Sequence, residues 1–90
     1  MRALMSHVAG GPETLTIEER PPLTPGPGEV VVAVRACGIN FPDLLIIKDR
    51  YQMKPQRPFS PGSEISGVIT ALGEGVTGLT VGQRVLAVPG

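Results

Sequence analysis

Several residue types that mark common protein classes are scarce in this sequence. Its 90 residues include a single cysteine, Cys37, three aromatic residues and no tryptophan. One cysteine excludes a disulfide within the chain and any zinc site made from several cysteines. A lone thiol also suits a reducing compartment, so we expect a cytoplasmic protein.

The chain also lacks an excess of charge of either sign. Eight Lys and Arg residues balance eight Asp and Glu residues, and the charges are scattered along the sequence. This balance gives no attraction to nucleic acid or to an anionic membrane surface. No segment approaches the roughly 20 apolar residues of a membrane span, and the first residues do not resemble a signal peptide. We therefore expect no nucleic-acid partner and no membrane insertion.

Glycine and proline, by contrast, are abundant, with 12 and 10 residues respectively. They separate short apolar segments, a pattern typical of an all-β barrel or sandwich. A chain of this length forms one domain at most. The predicted strands are residues 1–8, 14–19, 29–37, 64–72 and 85–88.

Residues 29–37 give the strongest strand prediction. Both alternating sides of this segment are mostly apolar, which predicts a central strand covered on two faces. A short helix is predicted over 42–50, because Pro42 suits a first helical position and Asp43 suits the first turn. The final strand has no obvious closing partner, so we expect an incomplete barrel.

Three stretches together resemble one known family. They are residues 25–32, 35–43 and 58–69, with further matches at Gly73 and 82–85. In this order and spacing they resemble the catalytic, GroES-like domain of medium-chain dehydrogenases/reductases. The resemblance implies an all-β or β-rich α+β fold, a GroES-like partial β-barrel with one short helix. This domain would occupy residues 1–90, with the Rossmann domain absent from the chain.

Two positions indicate the branch of that family. Zinc-dependent members have a cysteine and a histidine where this sequence has Asn40 and Ser63. A catalytic zinc needs three protein ligands of the Cys, His, Asp or Glu type, so we expect no metal site. The resemblance therefore implies the zinc-independent quinone oxidoreductase branch. Two departures from its pattern are Gln83, where aspartate is common, and Leu45, where some members carry a tyrosine.

The resemblance also implies substrate- or cofactor-binding positions, although each has a structural alternative. Asn40 can stabilise a turn, Asp43 can interact with a helix dipole, and Tyr51 can anchor its loop to the core. Cys37 is expected to be a buried small hydrophobe, and His7 an ordinary strand residue. No residue is identified as catalytic. The implied binding residues are Asn40, Asp43, Tyr51 and Ser63.

The resemblance implies a parent enzyme that binds NADPH, in preference to NADH, on a downstream Rossmann domain. It would transfer hydride to a small-molecule quinone or activated enone and form a homodimer, whereas the isolated chain would be inactive. Two alternatives stay open. One is an enoyl-thioester or other double-bond reductase of the same superfamily, and the other is a stand-alone GroES-like binding module.

Overall fold

The computed structural model describes residues 1–89 and is rich in strands, with one short helix. This agrees with the predicted β-rich, GroES-like partial barrel. The described elements are β1 (Arg2–Met5), a 3-10 turn (Pro12–Thr14), β2 (Thr16–Glu19), β3 (Val30–Cys37), α1 (Phe41–Ile47), β4 (Ile65–Leu72) and β5 (Arg84–Ala87). No helix within residues 1–89 is long and apolar enough to cross a membrane.

The chain divides into two compact units. The first combines Met1–Pro21 with Ile39–Gly62, and the second combines Pro22–Gly38 with the residues from Ser63 onward. The strands β1 and β2 lie in the first unit, together with α1. The other three strands, β3, β4 and β5, lie in the second.

In the first unit, β1 and β2 form an antiparallel pair. The small core of this unit contains Met5 from β1 and Ile46 and Ile47 from α1, all less than 9% exposed. Ser6 is fully buried, and it exchanges two backbone hydrogen bonds with Phe59 at 2.8 and 3.2 Å. This exchange draws the chain away from β2 after Met5, so β1 is shorter than the predicted strand over 1–8.

In the second unit, the strand order is β3-β4-β5, and both pairs are antiparallel. The central strand is therefore β4, whose Ile69 is 1% exposed. The prediction that 29–37 is central and covered on two faces is wrong, because Val34–Cys37 are exposed. Valine and alanine fit an extended backbone at an edge as well as in a core, so the apolar run predicted the strand but not its cover.

The β3–β4 ladder contains two irregularities. Thr70 of β4 is skipped between the pairs Val31↔Ala71 and Val32↔Ile69, and Arg35 of β3 is skipped between Val34↔Gly67 and Ala36↔Ser66. The extra residue at each bulge increases the local twist of the pair. The Thr70 hydroxyl donates a hydrogen bond of 3.3 Å to the backbone oxygen of Val31, which secures the first bulge.

Two glycines allow close backbone approach in this sheet. A Cβ added to Gly67 would lie 2.3 Å from the Ala33 oxygen, and one added to Gly73 would lie 2.0 Å from the Gly26 oxygen. Neither neighbour is a flexible side chain, so neither can move aside cheaply. These glycines therefore serve close packing.

The helix begins and ends earlier than predicted. It spans Phe41–Ile47 rather than 42–50, so Pro42 occupies the second helical position. Asp49 has a left-handed backbone with φ 57°, and the backbone N–H groups of Lys48 and Arg50 both donate to the Leu45 oxygen. A non-glycine residue in this conformation ends the helix without the usual glycine signal.

Candidate functional site

The start of α1 brings Asn40 and Asp43 together. Asn40 has an extended backbone (φ −123°, ψ 156°) and is the N-cap of the helix, while Asp43 is its third residue. The two residues form a capping box, in which the Asp43 carboxylate accepts a hydrogen bond of 2.9 Å from the Asn40 backbone N–H. Asn and Asp are favoured at these positions because they satisfy helix N–H groups that lack intrahelical partners.

The Asp43 side chain is buried, and its two carboxylate oxygens have different surroundings. Oδ2 accepts the bond from Asn40, whereas Oδ1 is buried and has no hydrogen-bond partner among the atoms of residues 1–89. Asp43 is 9% exposed. Its observed role is therefore to fix the backbone of Asn40, and a direct contact with a cofactor stays a prediction.

Two apolar side chains on either side of Asn40 are exposed. Ile39 is 88% exposed and Phe41 is 71% exposed. Exposed aliphatic and aromatic groups beside a carboxamide suit a planar ring that carries polar substituents. The sequence analysis did not identify them, because an apolar residue next to a predicted helix start is usually assigned to the core. The only sequence feature that could have indicated Ile39 and Phe41 is their position, one residue before and one residue after Asn40.

The two other predicted site residues lie elsewhere in the chain. Tyr51 is half-buried in a bend that follows α1, in the same unit as Asn40 and Asp43. Ser63 is half-buried in a bend that precedes β4 and belongs to the second unit. The structure thus joins Asn40 to Asp43 directly. The ligand contacts of Tyr51 and Ser63 stay predictions.

At the other end of α1, Arg57 anchors the helix from the loop that follows it. Its Nη2 donates to the Ile47 backbone oxygen at 2.8 Å, and its Nη1 lies 2.7 Å from Asp49 Oδ1. The guanidinium carbon also lies 5.3 Å from the centre of the Phe59 ring. These contacts hold the carboxyl end of the helix whose amino end carries Asn40. Sequence reasoning missed Arg57, since an isolated arginine in a proline-rich loop gives no signal.

A polar cluster on the β1–β2 side involves His7, which lies just after β1 rather than within a strand. The Glu18 carboxylate accepts a hydrogen bond from the Thr16 hydroxyl and pairs with the His7 ring. The Thr16 bond first, and the His7 bond second, lower the pKa of Glu18 below its ordinary value. This cluster contains none of the predicted site residues.

The cysteine and the acidic residues of the chain are dispersed. Cys37 is exposed at the end of β3, so the expectation of a buried small hydrophobe is wrong. The preceding residues of the strand, from Val34 to Ala36, are exposed as well, so neither face of β3 is covered at this end. Within residues 1–89, no three His, Cys, Asp or Glu side chains gather into a group that could hold a metal ion.

Comparison with known proteins identifies the family of this chain. The model of the alcohol dehydrogenase GroES-like domain matches residues 26–90. A quinone oxidoreductase-like protein 2 homolog from Nematostella vectensis is 46% identical over 90 residues, which are 99% of this chain and 24% of that protein. The synaptic vesicle membrane protein VAT-1 homolog of Rattus norvegicus is 42% identical over 88 residues, 96% of this chain and 22% of the relative.

Solved structures that resemble this chain belong to the same kind of protein as these relatives. The quinone oxidoreductase of Escherichia coli, determined in complex with NADPH, superposes with a TM-score of 0.89 at 35% identity. The match covers 96% of this chain and 26% of the Escherichia coli chain. The sequence thus spans about a quarter of the length of the proteins it resembles. The chain belongs to the family of the alcohol dehydrogenase GroES-like domain, within the medium-chain dehydrogenases/reductases.

Proposed function

We propose that this chain belongs to the amino-terminal catalytic domain of an NADPH-dependent oxidoreductase that transfers hydride to a quinone or an activated enone. The resemblance to quinone oxidoreductases, one of which was solved with NADPH, supports both the reaction and the cofactor. We also propose that residues 1–90 form only part of this domain. The Rossmann domain that binds most of the cofactor would follow it, and the parent would be a cytoplasmic homodimer.

The residues around Asn40 fit a place beside the nicotinamide and the acceptor. A carboxamide has one acceptor oxygen and two donor hydrogens, so capping a helix and binding a ligand are compatible roles. The exposed Ile39 and Phe41 side chains add apolar surface for a ring. When bound, NADPH supplies the hydride. In this proposal Asn40 binds and orients the nicotinamide or the acceptor, and Asp43 is a positioning residue that fixes the Asn40 backbone.

The observation that carries the proposal is the Asn40 carboxamide at the N-cap of α1. Zinc-dependent members of the superfamily present a thiolate there, and an amide is a poor ligand for zinc. Without a metal to polarise an alcohol or ketone oxygen, acceptors that take hydride readily are favoured. A quinone is such an acceptor, and it can obtain its proton from water once the hydride has arrived.

The decisive experiment uses the full-length protein that contains this chain. Oxidation of NADPH is measured with a quinone and, separately, with a crotonyl thioester. We expect the larger kcat/KM with the quinone. A larger value with the thioester would instead assign the protein to the enoyl-thioester reductases. Stoichiometric zinc bound through Asn40 or Ser63 in the purified protein, detected by elemental analysis, would contradict both assignments.

A conservative substitution separates ligand binding from capping. Asn40→Ser keeps a good N-cap residue but removes the carboxamide. We expect unfolding to change little, while kcat/KM for the quinone falls about 10-fold, the effect of roughly 1.4 kcal/mol in the transition state. Asp43→Ala should lower both activity and stability, because it removes the carboxylate that holds the Asn40 backbone. Full activity in Asn40→Ser would remove Asn40 from the site.

A further inference from the structure

A concave surface lies in the first unit, formed by residues that the proposed function does not use. It is a solvent-open cavity of about 330 Å³ between the loop after β1 and the residues after α1. Its lining consists of Ala9, Gly10, Gly11, Lys48 and Arg50. Two of these five residues are cationic, and two are glycines that bring the backbone to the surface.

Both cations of this cavity are exposed and have no carboxylate partner. Lys48 and Arg50 form no ion pair with any of residues 1–89. The acid between them in sequence, Asp49, directs its carboxylate to Arg57 at a distance of 2.7 Å. The nearest acidic residue along the chain therefore does not neutralise this pair.

The cations are also not needed to cap the carboxyl end of α1. The Ile47 oxygen accepts hydrogen bonds from Gly10 at 3.0 Å and from Arg57 at 2.8 Å. The Leu45 oxygen accepts from the backbone N–H groups of Lys48 and Arg50. Because these carbonyl oxygens already accept hydrogen bonds, the negative partial charge at the carboxyl end of α1 is partly offset. The side chains of Lys48 and Arg50 can therefore bind an external anion.

One acidic side chain lies near the glycine loop and opposes anion binding. Glu13 is close enough that a Cβ on Gly11 would lie 2.5 Å from its Oε2. One negative charge against two positive charges still leaves a positive surplus. The acid gives the hypothesis a sensitive control, since its removal should strengthen the binding of any anion.

From this arrangement we propose that the cavity binds a phosphate-type oxyanion, either free or as the phosphate group of a nucleotide. The Arg50 guanidinium can contact two phosphate oxygens with its planar fork, and the Lys48 ammonium acts as a point charge. Gly10 and Gly11 line the cavity without side chains of their own, with Thr14 and Glu13 beside them. Because both cations are exposed, the affinity is modest and decreases as the salt concentration rises.

The test titrates inorganic phosphate into the full-length protein labelled with 15N-glycine, at constant ionic strength set with chloride. Saturable shifts of the Gly10 and Gly11 amide signals are expected. The double variant Lys48→Met, Arg50→Met should weaken the apparent affinity at least 10-fold, and Glu13→Gln should tighten it. Lys54→Met, which removes another exposed cation of the same unit, should leave it unchanged.

A parallel titration with ADP distinguishes the two sources of phosphate. Saturation by inorganic phosphate supports a free oxyanion, and saturation by ADP alone supports a nucleotide phosphate. The proposal is overturned if neither ligand saturates these signals. It is equally overturned if Lys54→Met weakens binding as much as the double variant, since the effect would then reflect overall charge. Quinone reduction is not part of this readout, so the outcome is independent of the proposed reaction.

Discussion

Replacement of Arg57 by methionine tests whether one side chain holds the carboxyl end of α1. Methionine keeps much of the aliphatic stem but removes the guanidinium. The variant loses the charge-assisted bond to the Ile47 oxygen, which contributes about 1.5 kcal/mol. The pair with Asp49 contributes only about 0.5 kcal/mol, because the Asp49 side chain is 40% exposed. Stacking over Phe59 adds about 0.5 kcal/mol.

A compensating gain reduces the total. Arg57 Nε is buried and has no hydrogen-bond partner among residues 1–89, so its removal relieves about 1 kcal/mol. We therefore expect Arg57→Met to lower the free energy of unfolding by about 1.5 kcal/mol. Urea unfolding followed by far-UV circular dichroism measures this as a lower midpoint with an unchanged slope.

The contribution of the ion pair follows from a double-mutant cycle with Asp49→Asn. Asparagine tolerates the left-handed backbone of this position, so the variant removes charge without adding strain. We expect a coupling of about 0.5 kcal/mol between positions 49 and 57. If the free energy of unfolding of Arg57→Met lies within about 0.3 kcal/mol of the value for the unmodified protein, the reasoning from these contacts is refuted. Lys54→Met serves as the control for loss of a positive charge.

Two further predictions concern the sheet and the β1–β2 cluster. Gly67→Ala should lower the free energy of unfolding by about 3 kcal/mol, because the new methyl group would meet the Ala33 oxygen at 2.3 Å. Gly75→Ala is the control, because no atom beyond its chain neighbours lies within 4 Å of the new Cβ and only the positive φ of 82° is strained. It should lower the free energy of unfolding by about 1 kcal/mol. If the urea midpoint falls equally in both variants, the packing argument is contradicted. The pKa of Glu18 is lowered by Thr16 and His7, so its carboxylate stabilises the fold above its ordinary pKa and loses that effect as the pH falls through the lowered value. Thermal unfolding between about pH 6 and about pH 3 should therefore show a steeper acid loss for the unmodified protein than for Glu18→Gln, and parallel curves would count against the cluster.

The sequence predicted the order of the five strands and the helix because glycine, proline and apolar periodicity act locally. The same signals could not predict which strand is central. The central position of β4 depends on pairing with β3 and β5 across long stretches of chain. The early end of α1 depends on Asp49, whose left-handed backbone is not evident from its residue type.

The candidate site was predictable to a similar extent. The sequence predicted that Asn40 can stabilise a turn and that Asp43 lies in the first turn of a helix, and both residues are at the start of α1. The capping interaction between them was not predicted, because the helix was expected to begin one residue later. The exposure of Ile39 and Phe41 was not predictable, because burial depends on which other segments cover them. The same limit applies to the exposure of Cys37. The partners of Arg57, Ile47 and Phe59, lie only ten and two residues away in sequence, but the residue types of this loop do not indicate that the guanidinium turns back to the helix rather than to solvent.

The two bulges of the β3–β4 ladder compensate each other. Thr70 is the extra residue on β4 and Arg35 is the extra residue on β3, so the pairs Val30↔Leu72 and Cys37↔Ile65 at the two ends share one alignment. Deleting either extra residue alone would displace the pairing of everything beyond it and turn side chains to the opposite face. Deleting both would leave a straight ladder with the same ends. In homologous chains, gaps at these two positions should therefore occur together.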